Sequence, residues 1–454
     1  MKQHTIAGQF SSYDRPSISS SDDSQVTFIN FFKTNKKLLE HGIGKALKDL
    51  ISLGIFPSEI GVDLLILAAH VFAADTRISR KTESQDTWTR EIQLIVPVSD
   101  PDRWSSATNI LVQMLNFLTG DRWMLSFRPR PRGFNRIVPT KPKRGITPPF
   151  DGIALFSGGL DSLIGAIDSL ESGQNPLFAS HAGEGVVSLC QDTCFNMLKR
   201  NYPNIPINRL RVWMNFLTGL VQGIDSESTT RGRSFLFFAI GVFAGTGIEK
   251  GFTLRVPENG LIALNVPLDP MRLGALSTRT MHPYYLSRWN ELLKKIGING
   301  MVENPYWKAT KGEMIMNCAN IPLLQQLIQY SLSCSSPTKG RWHGHSIEHC
   351  GYCLPCLVRR AALVKAFGVD GDPTNYTLSD LNSRTLDTDQ SEGRQVRSLQ
   401  FTIERLKSNP NLAKLLIHKP GPLSALPDEN MAALADVFQR GMDEVATLLA
   451  QVRT

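Results

Sequence analysis

Two short motifs in this sequence carry the residue types that chemistry needs. The first is Phe156-Ser157-Gly158-Gly159-Leu160-Asp161-Ser162, which follows a short apolar run from Gly152 to Phe156 and precedes the helix-compatible LIGAIDSLES. Two glycines let a backbone turn tightly and present N–H groups to phosphate oxygens, and the helix that follows brings roughly half a positive charge to its N-terminus. Ser157 and Ser162 add hydroxyl donors. Asp161 would repel a phosphate unless a cation stood between them, so its expected work is to hold Mg2+ or to orient the loop. A glycine turn with capping serines is the simpler alternative. The strand before the loop, the helix after it and a second apolar strand from Pro176 to Ser180 complete a βαβ unit, and that context favours nucleotide binding. The lysine-bearing GxxxxGK[ST] pattern is absent from this loop.

The second motif is His349-Cys350-Gly351-Tyr352-Cys353-Leu354-Pro355-Cys356. Thiolates spaced by three can share one ion, and tetrahedral Zn2+, with Zn–S distances of about 2.3 Å, needs a fourth ligand. Cys334, sixteen residues upstream, supplies it, with His343, His345 and His349 as competitors. The CxxxCxxC spacing of radical iron–sulfur enzymes is absent, so zinc is the expectation. Cys190, Cys194 and Cys318 fall on apolar, helix-like segments and read as core thiols.

The elements that must position these motifs follow from periodicity and breakers. In residues 1–146 an apolar helix is expected over 60–73, a half-buried strand from Trp88 to Val96, a helix from Ser106 to Thr119 stopped by Gly120, and a strand carrying Trp123, Leu125 and Phe127. Together these suggest an N-terminal α+β accessory domain whose polar first 25 residues are loose. It closes on a Pro/Gly-broken basic stretch that carries seven uncompensated cations, Arg128, Arg130, Arg132, Arg136, Lys141, Lys143 and Arg144. A solvated linker is the favoured reading of that stretch over a nucleic-acid or anion surface. From 147 to 370 the order strand, glycine turn, helix, strand predicts an α/β domain with a parallel sheet and crossover helices. Residues 371–454 read as a helical extension, with Met431, Leu434, Phe438, Met442, Val445 and Leu449 at spacings of three and four.

Composition sets the outer bounds. The chain has 454 residues, 42% hydrophobic and 20% charged, with a formal net charge of +8, which fits a globular protein of two or three domains. Its N-terminus lacks the apolar core of a secretory signal, and the most apolar stretch, Phe235 to Ile248, is too short to span a bilayer. A reducing, cytoplasmic setting without membrane contact is expected.

An SGGxDS loop at the start of a domain and a C…CGxCxPC cluster near its end together resemble the QueC family, the 7-cyano-7-deazaguanine synthases, over about residues 150–370. The resemblance implies a PP-loop ATP pyrophosphatase fold, of the adenine nucleotide alpha hydrolase-like kind. Such enzymes use ATP with Mg2+ to adenylate a 7-deazaguanine-type carboxylate, which an amine then attacks. It implies nucleotide contacts from Phe156 through Ser162 and from Ser180 and Arg233. Thr230-Arg231-Gly232-Arg233-Ser234 is similar to the family's PGRN segment, and Lys308-Ala309-Thr310-Lys311-Gly312-Glu313 to its lysine-bearing segment, so Asp161, Arg233 and Lys311 are the implied catalytic set. The chain departs from the family at Phe178 to Gly183 and at Arg255 to Gly260, where base recognition and the acceptor would differ. Enlarged QueC-like proteins of anti-phage defence operons, the QatC type among them, share the added flanking domains, which implies protein partners. A tRNA-modifying PP-loop enzyme and a catalytically silent nucleotide-binding scaffold are the alternatives.

Overall fold

The computed structural model describes all residues except Met1, 19–23, 34–37, 143–148, 184, 230, 269–277, 336 and 338–347. The N-terminal third runs β1 (Gln3–Gln9), β2 (Ser24–Asn30), the small hairpin β3 (Phe32–Lys33) and β4 (Leu38–Leu39), α1 (Ile43–Ser52), α2 (Glu59–Arg77), α3 (Arg80–Glu83), β5 (Glu91–Val98), α4 (Pro101–Ser106), α5 (Thr108–Thr119) and β6 (Arg122–Pro129). The expected helices and strands over 60–127 are present. Gly120 ends α5 in the left-handed conformation with φ of 76°, which a glycine adopts without steric cost.

Two expectations fail here. The main sheet of this third, in the order β2-β1-β5-β6, pairs in parallel throughout, so the unit is α/β rather than α+β. Residues 3–9, expected to be loose, form an interior strand in which His4, Thr5, Ile6, Ala7 and Gly8 are all buried. A parallel strand covered on both faces shows no alternation, so a run as short as Thr-Ile-Ala-Gly is invisible to periodicity.

The basic stretch is also not uncompensated. Arg128 pairs with Asp14, Arg130 is buried against Glu59 and Asp63, Lys141 pairs with Glu249, and Arg136 donates to the Val138 carbonyl. Lys143 and Arg144 lie outside the described residues. Carboxylates far away in sequence thus neutralise three of the seven cations, Arg128, Arg130 and Lys141, which reduces the field a polyanion would meet.

The middle of the chain runs β7 (Ile153–Leu155), α6 (Leu160–Glu171), β8 (Leu177–His181), α7 (Gly185–Asn201), β9 (Arg209–Val212), α8 (Arg233–Gly245), β10 (Phe252–Arg255), α9 (Gly260–Leu264), α10 (Pro283–Lys295), β11 (Gly300–Glu303), α11 (Lys311–Met316), α12 (Ile321–Leu327) and α13 (Leu354–Phe367). Its five strands pair in parallel in the order β11-β10-β7-β8-β9. From central β7 the chain first builds outward through β8 and β9, then crosses to β10 and β11 on the other side. The C-terminal ends of β7 and β10 therefore flank the topological switch point, where open parallel sheets bind ligands.

The sheets change between β6 and β7, around the expected boundary at 146, but the core does not. One continuous apolar cluster contains Ile6, Leu65 and Phe72 of the first unit together with Leu155, Leu236 and Phe243 of the second. Helix α2 is apolar nearly all round because it is covered twice, by β5 on one side and by α8 on the other. The final helices, α14 (Ser391–Ser408), α15 (Leu412–Leu416) and α16 (Asp428–Leu449), are the expected helical extension, and α16 packs against α9 and α13 over a second core. No helix among the described residues is long and apolar enough to cross a membrane.

Candidate functional site

The glycine loop leaves β7 at its C-terminal end. Phe156 is fully buried, its ring against Phe178 and Phe195, and its N–H donates to the Ala179 carbonyl, so it anchors the loop through its side chain. Gly158 has φ of +78°, and Gln191 backbone atoms lie 3.0 Å from where a Cβ would stand, so both conformation and space demand glycine. The hydroxyls fold the turn on itself: Ser162 Oγ accepts from the Ser157 N–H at 3.2 Å and donates to the Gly159 carbonyl at 2.9 Å, while Ser157 Oγ accepts from the Gly159 N–H at 3.2 Å. Ser180, expected beside a nucleotide, is fully buried and donates to the Phe156 carbonyl at 2.6 Å, so its hydroxyl braces the loop.

Asp161, in the first turn of α6, is held from two sides. Lys311 Nζ donates to its Oδ1 at 2.5 Å, and Asn259 donates to its Oδ2 from the side chain at 2.7 Å and from the backbone at 3.1 Å. The cation beside Asp161 is thus a lysine from the same chain. Lys311, 5% exposed, opens α11, whose N-terminus carries a capping box between Thr310 and Glu313. The C-terminal extension fixes this corner: buried Glu444 of α16 accepts from Thr310 Oγ1, from the Gly312 N–H at 3.2 Å and from Lys365 at 2.9 Å. Arg440 of the same helix pairs with Glu313.

Arg233 opens α8 against the end of β8, one strand over from the Asp161–Lys311 pair. Its guanidinium nitrogen lies 3.1 Å from where a Gly183 Cβ would stand. Burial first, and then the Arg233 charge, hold the neighbouring His181 imidazole down to about 4, so it is neutral at ordinary pH. The turn before Arg233 is pinned by the N-terminal unit, since Asp75 accepts from the Gly232 N–H at 2.6 Å. Asp75 belongs to a buried cluster with Arg80, Arg90 and Asp121.

The four cysteines singled out in sequence converge. The Sγ atoms of Cys334, Cys350, Cys353 and Cys356 all lie within 4.8 Å of one another, a set that can hold a metal ion. Gly351, with φ of +89°, turns the chain between the ligands, and Cys353 stands at the N-cap position of α13 without a side-chain capping bond. His349 is not the fourth ligand: its Nε2 accepts from the Ser333 N–H at 3.1 Å, and burial with the Arg359 charge holds its imidazole down to about 3. His343 and His345 lie outside the described residues. Cys194 and Cys318 are core thiols as expected, and Cys190 is half-buried.

Sequence reasoning missed how this cluster meets the glycine loop. The Leu332 N–H donates to the Gly158 carbonyl at 2.9 Å, and Ser333 Oγ accepts from the Leu160 N–H at 3.3 Å, immediately before Cys334. It also missed Asn304 and Glu444, and it marked Glu258 and Asn259 only as part of a segment that departs from the family, with no role for either. Of these only the Glu-Asn-Gly turn after β10 gave a signal, since turn-forming residues at the end of a strand mark a loop at the ligand-binding edge. No protein-family model matches the chain, and no curated protein matches it either.

Proposed function

We propose that this chain is an ATP-dependent ligase or synthase of the PP-loop, QueC-like class. It adenylates a 7-deazaguanine-type carboxylate and passes the acyl group to an amine, ammonia or a protein amine, in anti-phage defence with protein partners. The observation that carries the chemistry is Asp161 held between Lys311 and Asn259, on a glycine loop at the switch point of a parallel sheet. The α6 N-terminus suits phosphate oxygens, while the Ser157, Gly159 and Leu160 N–H groups donate to the hydroxyls of Ser162, Ser157 and Ser333, bonds that a phosphate in the loop would replace. The Lys311 ammonium, fixed by Asp161, is placed to offset the charge that grows on departing pyrophosphate, and Arg233 offers a second cation at the end of β8. The choice of a deazaguanine carboxylate and of a defence setting rests on the family resemblance and on the added domains. The pairing of Arg128, Arg130 and Lys141 with carboxylates weakens the support for an RNA substrate.

The reading is tested by isotope exchange. Labelled pyrophosphate should enter ATP when the protein is incubated with 7-carboxy-7-deazaguanine, and not without it. Nucleotide binding with neither exchange nor AMP release would leave a silent scaffold.

For the metal, zinc fits. A tetrahedral ion with Zn–S of about 2.3 Å sets sulfurs about 3.8 Å apart, and the Cys334–Cys353 and Cys350–Cys356 pairs stand at 3.9 Å. For Mg2+ the fit is poor, because both Asp161 oxygens already carry donors, and no step is drawn through it. Purified protein should contain about one zinc per chain. Cys353→Ser should lose it, and the Leu332 and Leu160 amides, which the cysteine segment ties to the loop, should then exchange with deuterium faster. A metal-free variant in which those amides stay as protected as in the parent would break the link between the cluster and the loop.

A further inference from the structure

The turn after β10 has work that the functional reading leaves unassigned. Residues 258–260 are fixed through their backbone. The Glu258 N–H donates to Asn304 Oδ1 at 3.3 Å and the Glu258 carbonyl accepts from Asn304 Nδ2 at 2.7 Å, while the Gly260 N–H donates to the Ala309 carbonyl at 2.8 Å. The next residue, Asn259, is bonded to Asp161. Glu258 therefore stands just past the end of β10, across the switch point from the glycine loop, and its carboxyl, crowded by the surrounding protein, receives no hydrogen bond from the described residues. A carboxylic acid held this way stands beside the Asp161–Lys311 pair with no hydrogen bond to the described residues to account for it.

We propose that Glu258 is the proton acceptor of the amine-transfer step. This rests on the adenylation reading above. In that step the lone pair of a neutral amine attacks the acyl carbon of the acyl adenylate. The bond from that carbon to the AMP oxygen breaks, with its electron pair leaving on AMP. One proton on the new nitrogen passes to a Glu258 carboxylate oxygen and from there to water. The charged groups that face Glu258 are Asp161 on α6 and Lys311 on α11. Burial pushes the Glu258 carboxyl up to about 8, the Asp161 charge pushes the same way, and Lys311 offsets part of both. A base works best when its pKa lies near the working pH. Below that value the group is neutral and adds no repulsion toward the phosphates.

The experiment separates the two half-reactions. Glu258→Gln should exchange pyrophosphate into ATP within about 3-fold of the parent, yet pass the acyl group to ammonia about 10²-fold more slowly, the scale of a lost general base. With the rate expressed per neutral ammonia, parental transfer should rise with pH around 8 and the variant should lose that limb, while Glu258→Asp should recover part of the rate. Transfer by Glu258→Gln at the parental rate, or loss of exchange along with transfer, would overturn the assignment. A parent that shows no exchange overturns the adenylation reading, and this proposal with it. Thermal melting supplies a fold check whose direction is fixed. The native state holds the Glu258 proton to higher pH than the unfolded chain, so the parent loses stability as pH rises from the ordinary carboxylate range toward 8. Glu258→Gln should therefore melt above the parent at pH 8.5, and the gap should close near pH 4.

Discussion

A chain that begins at residue 147 is expected not to fold, although it would keep every residue of the glycine loop and the cysteine cluster. In α2, sixteen residues from Gly61 to Thr76 are buried, and α2 is the helix that covers α8. In α8, ten residues between Phe235 and Gly245 are buried in turn. Fully burying a Leu- or Phe-sized side chain stabilises by roughly 1.5–3 kcal/mol, so uncovering even four of them forfeits on the order of 6–12 kcal/mol, comparable with the whole stability of a domain. Polar ties go as well. The Gly232 N–H loses Asp75, the Thr246 hydroxyl loses the Ser58 N–H it accepts, and Glu227 loses the Arg80 N–H. The truncated chain should bind hydrophobic dyes and show no cooperative thermal transition, where the full chain shows one. A cooperative melt close to that of the parent would mean that the shared core is dispensable. If it is not dispensable, a docking role of the N-terminal unit has to be probed with surface substitutions on the intact protein.

What the sequence made legible follows from how locally each feature is specified. The glycine loop could be read because Gly158 needs a left-handed backbone and its flanking serines bond within five residues of one another. The cysteines could be read because thiols at fixed spacing have few other uses in a chain of this kind. The parallel sheet could be read because strand, turn and helix repeat in order. The rest depends on partners far along the chain. Arg130 is a surface cation until Asp63 and Glu59 are brought to it. Glu444 is a polar position on an amphipathic helix until it caps the α11 corner from more than a hundred residues away. Ser180 has the right type and strand position for a ligand contact, and only its burial and its bond to the Phe156 carbonyl show otherwise. The missing β1 has the same cause, since a central parallel strand is defined by its neighbours on both sides rather than by its own pattern.

Asp161 and Lys311 should prove to be one unit, and separating their effects on fold and on chemistry gives the largest expected loss of activity. From sequence, Asp161 had only a metal as a counter-charge, which predicts that Asp161→Asn melts near the parental temperature. The ion pair at 2.5 Å, with side chains 6% and 12% exposed, predicts otherwise. Removing one partner of a buried pair leaves the other desolvated and uncompensated, a loss of about 3–5 kcal/mol. Asp161→Asn should carry most of that cost, because Asp161 is the carboxylate ion-paired with Lys311 among the described residues, and the Glu258 carboxyl that also faces Lys311 stays protonated up to about pH 8. Lys311→Met should cost less, since Asn259 still donates twice to Asp161. The double variant Asp161→Asn/Lys311→Met removes both charges and keeps similar volume, so denaturant unfolding should show much of the stability restored and a coupling energy well above additivity. Activity should not follow stability. All three variants should lose about 10²-fold or more in carboxylate-dependent pyrophosphate exchange, because the ammonium that meets the leaving group is gone or misplaced in each. Additive losses in stability would show that the two residues do not act as a pair in solution. A double variant that refolds and still exchanges pyrophosphate would move the reacting phosphates away from this loop.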